Sequence, residues 1–202
     1  MKDLILLGAG GFAREAFCWM NQYTVVGFYS EGAPQGQKIF DVPVVSSLKR
    51  YAGAYFLPAV GNPQVKERLW QNAIEAGLEP CSPVIHKSCT VGRDVEIGLG
   101  SILCPGSIVT TNVRTGIGFL LNIQATVGHD CRVGAFVTVS PGAFISGNVK
   151  IGDLAYIGTG SSIREKLSIG RGATLGMGAT LIKEIPANEV WIGQPAAKME
   201  KK

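Results

Sequence analysis

The sequence is short of the residues from which many chemical sites are built. It contains two histidines, His86 and His129, 43 positions apart. A zinc centre with three histidine ligands is therefore out of reach, even with symmetry duplicating one of them. Its five cysteines (18, 81, 89, 104 and 131) form an odd set with no C-x-x-C pair. That argues against disulfide and zinc frameworks and for a reducing cytoplasm. The N-terminal apolar run, Leu4 to Leu7, breaks at Gly8-Ala9-Gly10-Gly11 and is too short for a membrane span or a signal-peptide core. Charged residues make up 17% and the net charge is +4, with Lys and Arg scattered apart from Lys198, Lys201 and Lys202. No nucleic-acid-binding motif accompanies that charge. A hydrophobic content of 46% over 202 residues describes a globular chain of one domain or two small ones.

What is present is a period. From Ile85, every sixth residue to Leu181 is Ile, Leu or Val at sixteen of seventeen positions, and only Thr115 departs. Neither the 3.6 of a helix nor the 2 of a strand accounts for a strict six, which is the mark of a parallel β-helix. The following residue is often Gly (92, 98, 116, 128, 134, 152, 158, 170, 176), where the chain turns and a Cβ would be in the way. Four places after the aliphatic residue comes a mostly small or β-branched one, including Cys89 and Cys131 as core residues, with Phe119 and Leu167 the larger exceptions. Each hexapeptide makes one strand and one corner, and three make a coil of eighteen, so the units form between five and six stacked coils.

The first eighty residues read differently. A buried strand over residues 2–7 leads through the glycine turn into a helix of about Ala13 to Asn21. The turn fits G-x-G-x-x-A, which brings backbone N–H groups and a helix dipole to a phosphate. Val25 to Tyr29 is a second strand, with Ser30-Glu31 at its end where an acidic residue meets a ribose. Residues 32–41 are a Gly/Pro loop, Val42 to Val45 is extended, and Ser46 caps a short helix to Tyr51. Tyr55 to Val60 is a third strand ending at Gly61-Asn62. Asn62 is the N-cap and Pro63 the first residue of a helix to about Ala76, with Gly77 as its stop. This alternation predicts a small parallel α/β unit. A glycine-rich turn also occurs simply as a tight turn. An NAD site needs a two-lobed fold about twice this size, so a nucleotide-sugar with its diphosphate at the turn fits the length better. Residues 79–83 form the linker, and the tail through Val190–Ala196 leaves the repeat to pack along the last coils.

His86 lies at the first corner beside the linker, a surface or interface position. His129 sits at a corner, pointing outward, with Asp130 next to it, a pair that can serve as a general base with an orienting carboxylate. Such a pair on a corner is also a common solvated surface feature. Eighteen residues on stands Gly147, which leaves space beside the imidazole and a backbone N–H for an oxyanion. Asn122, Ser140, Gly158 and Gly176 form another stacked column, polar and then bare, suited to a ligand along the axis. Cys104 has no base in its own corner and is a poor nucleophile candidate.

The chain resembles the bacterial sugar acyltransferases grouped with sialic acid O-acetyltransferases, and in layout the UDP-4-amino-sugar N-acetyltransferases of bacillosamine-type glycan synthesis and related dTDP-amino-sugar enzymes. The likeness rests on Leu7-Gly8-Ala9-Gly10-Gly11, Gly61-Asn62-Pro63, Leu121-Asn122, Gly128-His129-Asp130-Cys131, Ser146 through Gly152 and Gly193-Gln194-Pro195-Ala196. It implies a Rossmann-like α/β domain (1–80), then an all-β left-handed β-helix domain (81–202, repeats 85–186). It also implies a homotrimer with the site between subunits, acetyl-CoA as co-substrate, no metal, and a place in bacterial surface glycan biosynthesis. By the same likeness His129 is the base and Asp130 raises its basicity. Gly8, Gly10, Gly11, Phe12, Ser30, Glu31, Gly61 and Asn62 hold the nucleotide-sugar. Acetyl-CoA runs past Thr138, Gly147, Thr159 and Met177, with the Asn122, Gly158 and Gly176 column beside it. Some members of the family carry His at Phe12, Asp at Ser30 and a second His at Thr138. Direct N-acetylation of an amino sugar is the expectation, since a free amine needs less activation than a hydroxyl. O-acetylation of a hydroxyl such as that of sialic acid, and a non-catalytic nucleotide-sugar-binding trimer, are the alternatives. Nothing in 85–186 resembles the partner domain of an NAD enzyme, and no nucleic-acid or membrane partner is expected.

Overall fold

The structure, a computed structural model, describes residues 3–200. The expected strand start at residue 2 and the terminal Lys201 and Lys202 lie outside the described residues. Strand β1 (Asp3–Leu7) lies inside a six-stranded sheet with β2 (Thr24–Tyr29), β3 (Lys38–Ile39), β4 (Val42–Val45), β5 (Tyr55–Pro58) and β6 (Glu79–Pro80). The order is β3-β4-β2-β1-β5-β6, parallel throughout except for the β3–β4 hairpin. Helices α1 (Gly11–Trp19) and α2 (Pro63–Glu75) connect its parallel strands. Side chains alternate across a strand, so Leu4 and Leu6 pack with Ala13 of α1, while Ile5 and Leu7 pack with Leu69, Trp70 and Ala73 of α2. Burial on both faces is why β1 is an unbroken apolar run.

The structure corrects several local expectations. The loop over 32–41 contains β3, which pairs back onto β4. Ser46 caps nothing: only a single 3₁₀ turn forms at Lys49–Tyr51, behind Leu48, whose buried side chain anchors it. The third strand stops at Pro58, and Glu79-Pro80 of the linker is β6, paired with Tyr55 and Phe56. Pro80 is tolerated there because β6 is an edge strand. The start of α2 matches the prediction: Asn62 Oδ1 accepts from Val65 N at 2.9 Å, with Pro63 in the first turn.

From Val84 onward the chain winds as a parallel β-helix of two-residue strands, three to a coil. Registers step by eighteen. Ile102, Leu120, Thr138, Tyr156 and Thr174 align on a first face. Ile108, Thr126, Phe144, Ser162 and Thr180 form a second. Arg114, Arg132, Lys150 and Ser168 form a third. The aliphatic column points inward and is buried from Leu103 to Leu181, except at Thr115, whose Oγ1 accepts from Gly98 N at 3.2 Å. Val91, in the open first coil, is 39% exposed. Phe119 and Leu167 fill the interior, as does Cys131, while Cys89 is half-buried against it. The glycine column exists because coils stack closely: a Cβ on Gly92 would overlap the Thr110 carbonyl. A second six-residue rhythm lies in the backbone, since every sixth residue from Asp94 to Gly178 has positive φ.

The N-terminal sheet is seated on the first face. Leu4 and Leu6 share a core with Val84, Ile102 and Leu120. Trp70 stands edge-on to Phe136 at 5.5 Å, and Trp19 to His86 at 5.3 Å, making His86 an interface residue. The tail adds Val190–Ile192 beside Thr174–Leu175 and folds back antiparallel at Ala197–Lys198.

Candidate active site

His129 and Asp130 occupy the corner between the second and third faces. A Cβ on Gly128 would strike Gly147 N at 2.7 Å, so glycine lets the coils close here. Asp130 has φ +61°, a conformation that Asp and Asn tolerate better than most residues. That turn swings its carboxylate back to the imidazole: Oδ2 lies 2.7 Å from His129 Nδ1. Asn112, one coil below with φ +51°, donates from Nδ2 to Asp130 Oδ1 at 2.6 Å. Arg132 holds Asn112 in turn, donating to its carbonyl at 2.7 Å and to its Oδ1 at 3.1 Å. The hydrogen bond from His129, and after it that from Asn112, holds the Asp130 carboxyl below its ordinary pKa. An ionised Asp130 keeps the proton on Nδ1 and leaves the Nε2 lone pair free to take one. Sequence reading missed Asn112 and Arg132. Subtracting one coil from Asp130 reaches Asn112 directly, but the positive φ at both turns, which aims the two side chains at each other, is not written in the period.

Gly147 is placed beside the imidazole as expected, with a difference. The predicted space is taken by the ring itself: a Cβ on Gly147 would meet Nε2, and Cε1 at 2.5 Å. Gly147 is buried, and its N–H has no acceptor among the described residues.

The column Asn122, Ser140, Gly158, Gly176 lies on the corner between the first and second faces, a strand away from His129. It is not a bare lane. Ser140 is buried, Gly158 is bare because a Cβ would meet Gly176 C at 2.6 Å, and Gly176 lies under Ile192 Cγ2. Asn122 turns its Oδ1 to Ile123 N at 2.7 Å. The exposed edge of that corner is Thr159 and, one coil on, Met177, which is 81% exposed. Thr138 departs from expectation. It is 2% exposed beneath α2, and its hydroxyl accepts from Lys66 Nζ at 3.0 Å, so no acetyl donor reaches it. Cys104 is fully buried and its thiol pKa is pushed up by burial, which removes it as a nucleophile.

The nucleotide-sugar candidates gather at the carboxyl ends of β1, β2 and β5. Gly8 has φ +126° and would, with a Cβ, press on Val60 Cγ1 at 2.8 Å. Gly10 and Gly11 open α1 with nothing within 4 Å of a Cβ, and Phe12 follows in the first turn. Gly61 and Asn62 face them across the β1–β5 switch point, where open α/β sheets bind ligands. Ser30 N is held by Val45 O at 3.0 Å. The Glu31 carboxylate is committed to Arg68 and Asn72 of α2, each at 3.1 Å. The Asn62 amide oxygen is spent on capping α2. This edge abuts the first face, opposite the corner that carries His129, so one chain does not bring the two together.

Among the described residues no group of three His, Cys, Asp or Glu is arranged to hold a metal, and no helix is long and apolar enough to cross a membrane.

A parallel β-helix of hexapeptides with an exposed His–Asp pair on a corner and an α/β sheet before it defines a class of acyl-transfer proteins. No family model matches the sequence. The fold superposes on WeeI from Acinetobacter baumannii AYE with a TM-score of 0.89 at 33% identity, covering 98% of this chain and 100% of that one. The acetyltransferase domain of PglB from Neisseria gonorrhoeae FA1090, in complex with acetyl coenzyme A, matches with a TM-score of 0.88 at 31% identity, covering 98% and 99%. GDP-perosamine N-acetyltransferase of Escherichia coli O157:H7 is 34% identical over 133 residues, a match that spans 59% of this chain and 59% of that protein. The chain belongs to the hexapeptide-repeat sugar acyltransferases.

Proposed function

We propose that the protein transfers acetyl from acetyl-CoA to the amine of a nucleotide-linked sugar, with His129 as general base. The observation that carries this reading is the relay Asn112–Asp130–His129, ending in a free Nε2 beside an uncommitted Gly147 N–H. Its relatives support it: one is named a GDP-perosamine N-acetyltransferase, and another is an acetyltransferase domain in complex with acetyl coenzyme A.

The chemistry follows from these groups. The sugar amine attacks the thioester carbonyl while Nε2 of His129 removes its proton. Asp130 stabilises the imidazolium so formed, and the Gly147 N–H donates to the oxyanion. Collapse of the tetrahedral adduct breaks the C–S bond, and His129 returns the proton to the departing thiolate. The exposed Met177 and Thr159 offer an apolar and hydroxyl edge for the acetyl donor, which gives that otherwise unexplained exposure a purpose.

In this reading residues 1–80 are a Rossmann-like nucleotide-sugar domain and 81–202 a left-handed β-helix. Gly8, Gly10, Gly11 and Phe12, with Ser30 and Gly61, cradle the diphosphate sugar. Glu31 joins them only by leaving Arg68. The working unit is a cytoplasmic homotrimer, in which a neighbouring chain supplies the partner edge that a single chain keeps away from its own His129.

The test is thiol release from acetyl-CoA against a panel of GDP-, UDP- and dTDP-linked amino sugars and sialic acid, with His129→Ala alongside. Release with an amino-sugar nucleotide that falls by about 10²–10⁴ in the variant is expected. A wild-type rate in His129→Ala would overturn the assignment, and release with sialic acid alone would turn it to O-acetylation.

A further inference from the structure

Lys66 is a buried amine that the acyl-transfer chemistry does not use. It is 1% exposed on the inner side of α2, one turn from the Gly61-Asn62 edge. Its Nζ crosses the seam to donate to Val137 O at 3.1 Å and Thr138 Oγ1 at 3.0 Å. No carboxylate among the described residues pairs with it. On its own helix, Glu67 is turned to Arg171 at 3.8 Å and Arg68 to Glu31 at 3.1 Å. Across the seam, Asp153 is occupied by Arg171 and by the Ala135 N–H at 2.8 Å. Tyr156, one coil above Thr138, lines a cavity of about 430 Å³ with Thr174, Gly61, Asn62, Pro63 and Gln64. The anchored stretch of α2 is therefore the stretch that forms one wall of this cavity.

We propose that Lys66 is a positioning residue: by donating to Val137 and Thr138 it seats the start of α2 on the β-helix and so sets the width of the cavity between Gly61-Asn62 and Tyr156-Thr174. This rests on the reading of Gly61-Asn62 as part of the nucleotide-sugar edge. The chemistry of the anchor is specific. A neutral amine has two N–H donors, and the seam offers two acceptors. An ammonium would have a third donor unmet and a charge with no counter-ion. Burial accordingly pushes the Lys66 pKa down to about 7. The sign follows: from about pH 7 to the ordinary lysine value the seated state binds fewer protons than the open one, so seating tightens as pH rises and levels off below about 7.

The experiment compares wild type, Lys66→Met and Lys66→Arg as full chains between about pH 7 and about pH 9. Amide-exchange protection of residues 62–70 and 134–138, corrected for intrinsic rates, is measured against the distant strand Ser162–Ile163. In wild type the relative protection of the seam is expected to rise by more than about tenfold over that range. It should stay flat in Lys66→Met, and Lys66→Arg, which is always charged, should not restore the rise. In parallel, KM for the nucleotide-sugar should fall with pH in wild type only, while KM for acetyl-CoA is the same in wild type and Lys66→Met. Thr138→Val, which removes one acceptor and keeps the shape, should lower seam protection even if Lys66→Met does not fold. A seam with no pH dependence in wild type, or the same dependence in Lys66→Met, would overturn the proposal. The exchange arm reads the anchor whether or not any amino-sugar nucleotide is turned over.

Discussion

Asn112 and Asp130 stand one coil apart, each in a left-handed turn conformation, and Asn112 Nδ2 donates to Asp130 Oδ1 at 2.6 Å. The β-helix stacks one residue over the other, and the positive φ at both turns aims the two side chains at each other. The carboxylate then has one oxygen for Asn112 and one for His129.

Asn112→Ala should therefore weaken the base without touching it. Losing a hydrogen bond to a charged acceptor in an exposed corner is expected to lower kcat roughly fivefold. The carboxyl pKa moves up toward its ordinary value. Because the folded carboxyl titrates below that value, its contribution persists at neutral pH and is lost only as pH falls through the folded value. In Asn112→Ala the contribution is smaller and its loss is complete at a higher pH, which a comparison of acid stability of the two proteins measures. Asp130→Asn should cost more, on the order of 10²-fold or above, because the amide can stabilise the wrong imidazole tautomer.

Gly147→Ala tests the contact of the ring with the next coil. The added methyl collides with the imidazole and displaces it. The expected result is a kcat loss of about 10²-fold from misplaced geometry, with KM for both substrates within about twofold. Steady-state kinetics with each substrate varied in turn at a saturating level of the other would decide it.

Phe119→Ala empties the interior of one coil. Phe119 is fully buried in the small-residue column, and truncation should destabilise by about 3–5 kcal/mol. Thermal unfolding gives the measure. A shift no larger than that of an exposed substitution would show that the coils relax to fill the gap.

Gly8→Ala addresses the glycine turn. At φ +126°, with Val60 Cγ1 at 2.8 Å and Ala59 O at 2.9 Å, alanine is strained and crowded together. A cost of about 1–3 kcal/mol is expected, with loss of nucleotide-sugar affinity by calorimetry and unchanged affinity for coenzyme A.

How much of this was legible differs from element to element. The cap at Asn62 and the strand β1 were readable because their determinants are local: a side chain three residues from an N–H, and a run of apolar residues. The β3 hairpin and the placement of Glu79-Pro80 in the sheet were not, since pairing partners decide them. Thr138 was misjudged for the same kind of reason. Its place in the repeat says only that it points out of the coil, and what covers it there is Lys66, 72 residues away in the chain.

The sequence by itself determined the β-helix, because a six-residue period sets the coil, the inward column and the residues that stack eighteen apart. It also determined that His129 and Asp130 share an exposed corner. Only the tertiary structure decided what surrounds that pair. The relay through Asn112 depends on two turns having the same backbone hand one coil apart, and the imidazole rests against Gly147 because the coils close to backbone contact. The seat of the Gly61-Asn62 edge opposite His129 depends on the packing of α2 against the first face, and neither propensity nor period carries that information.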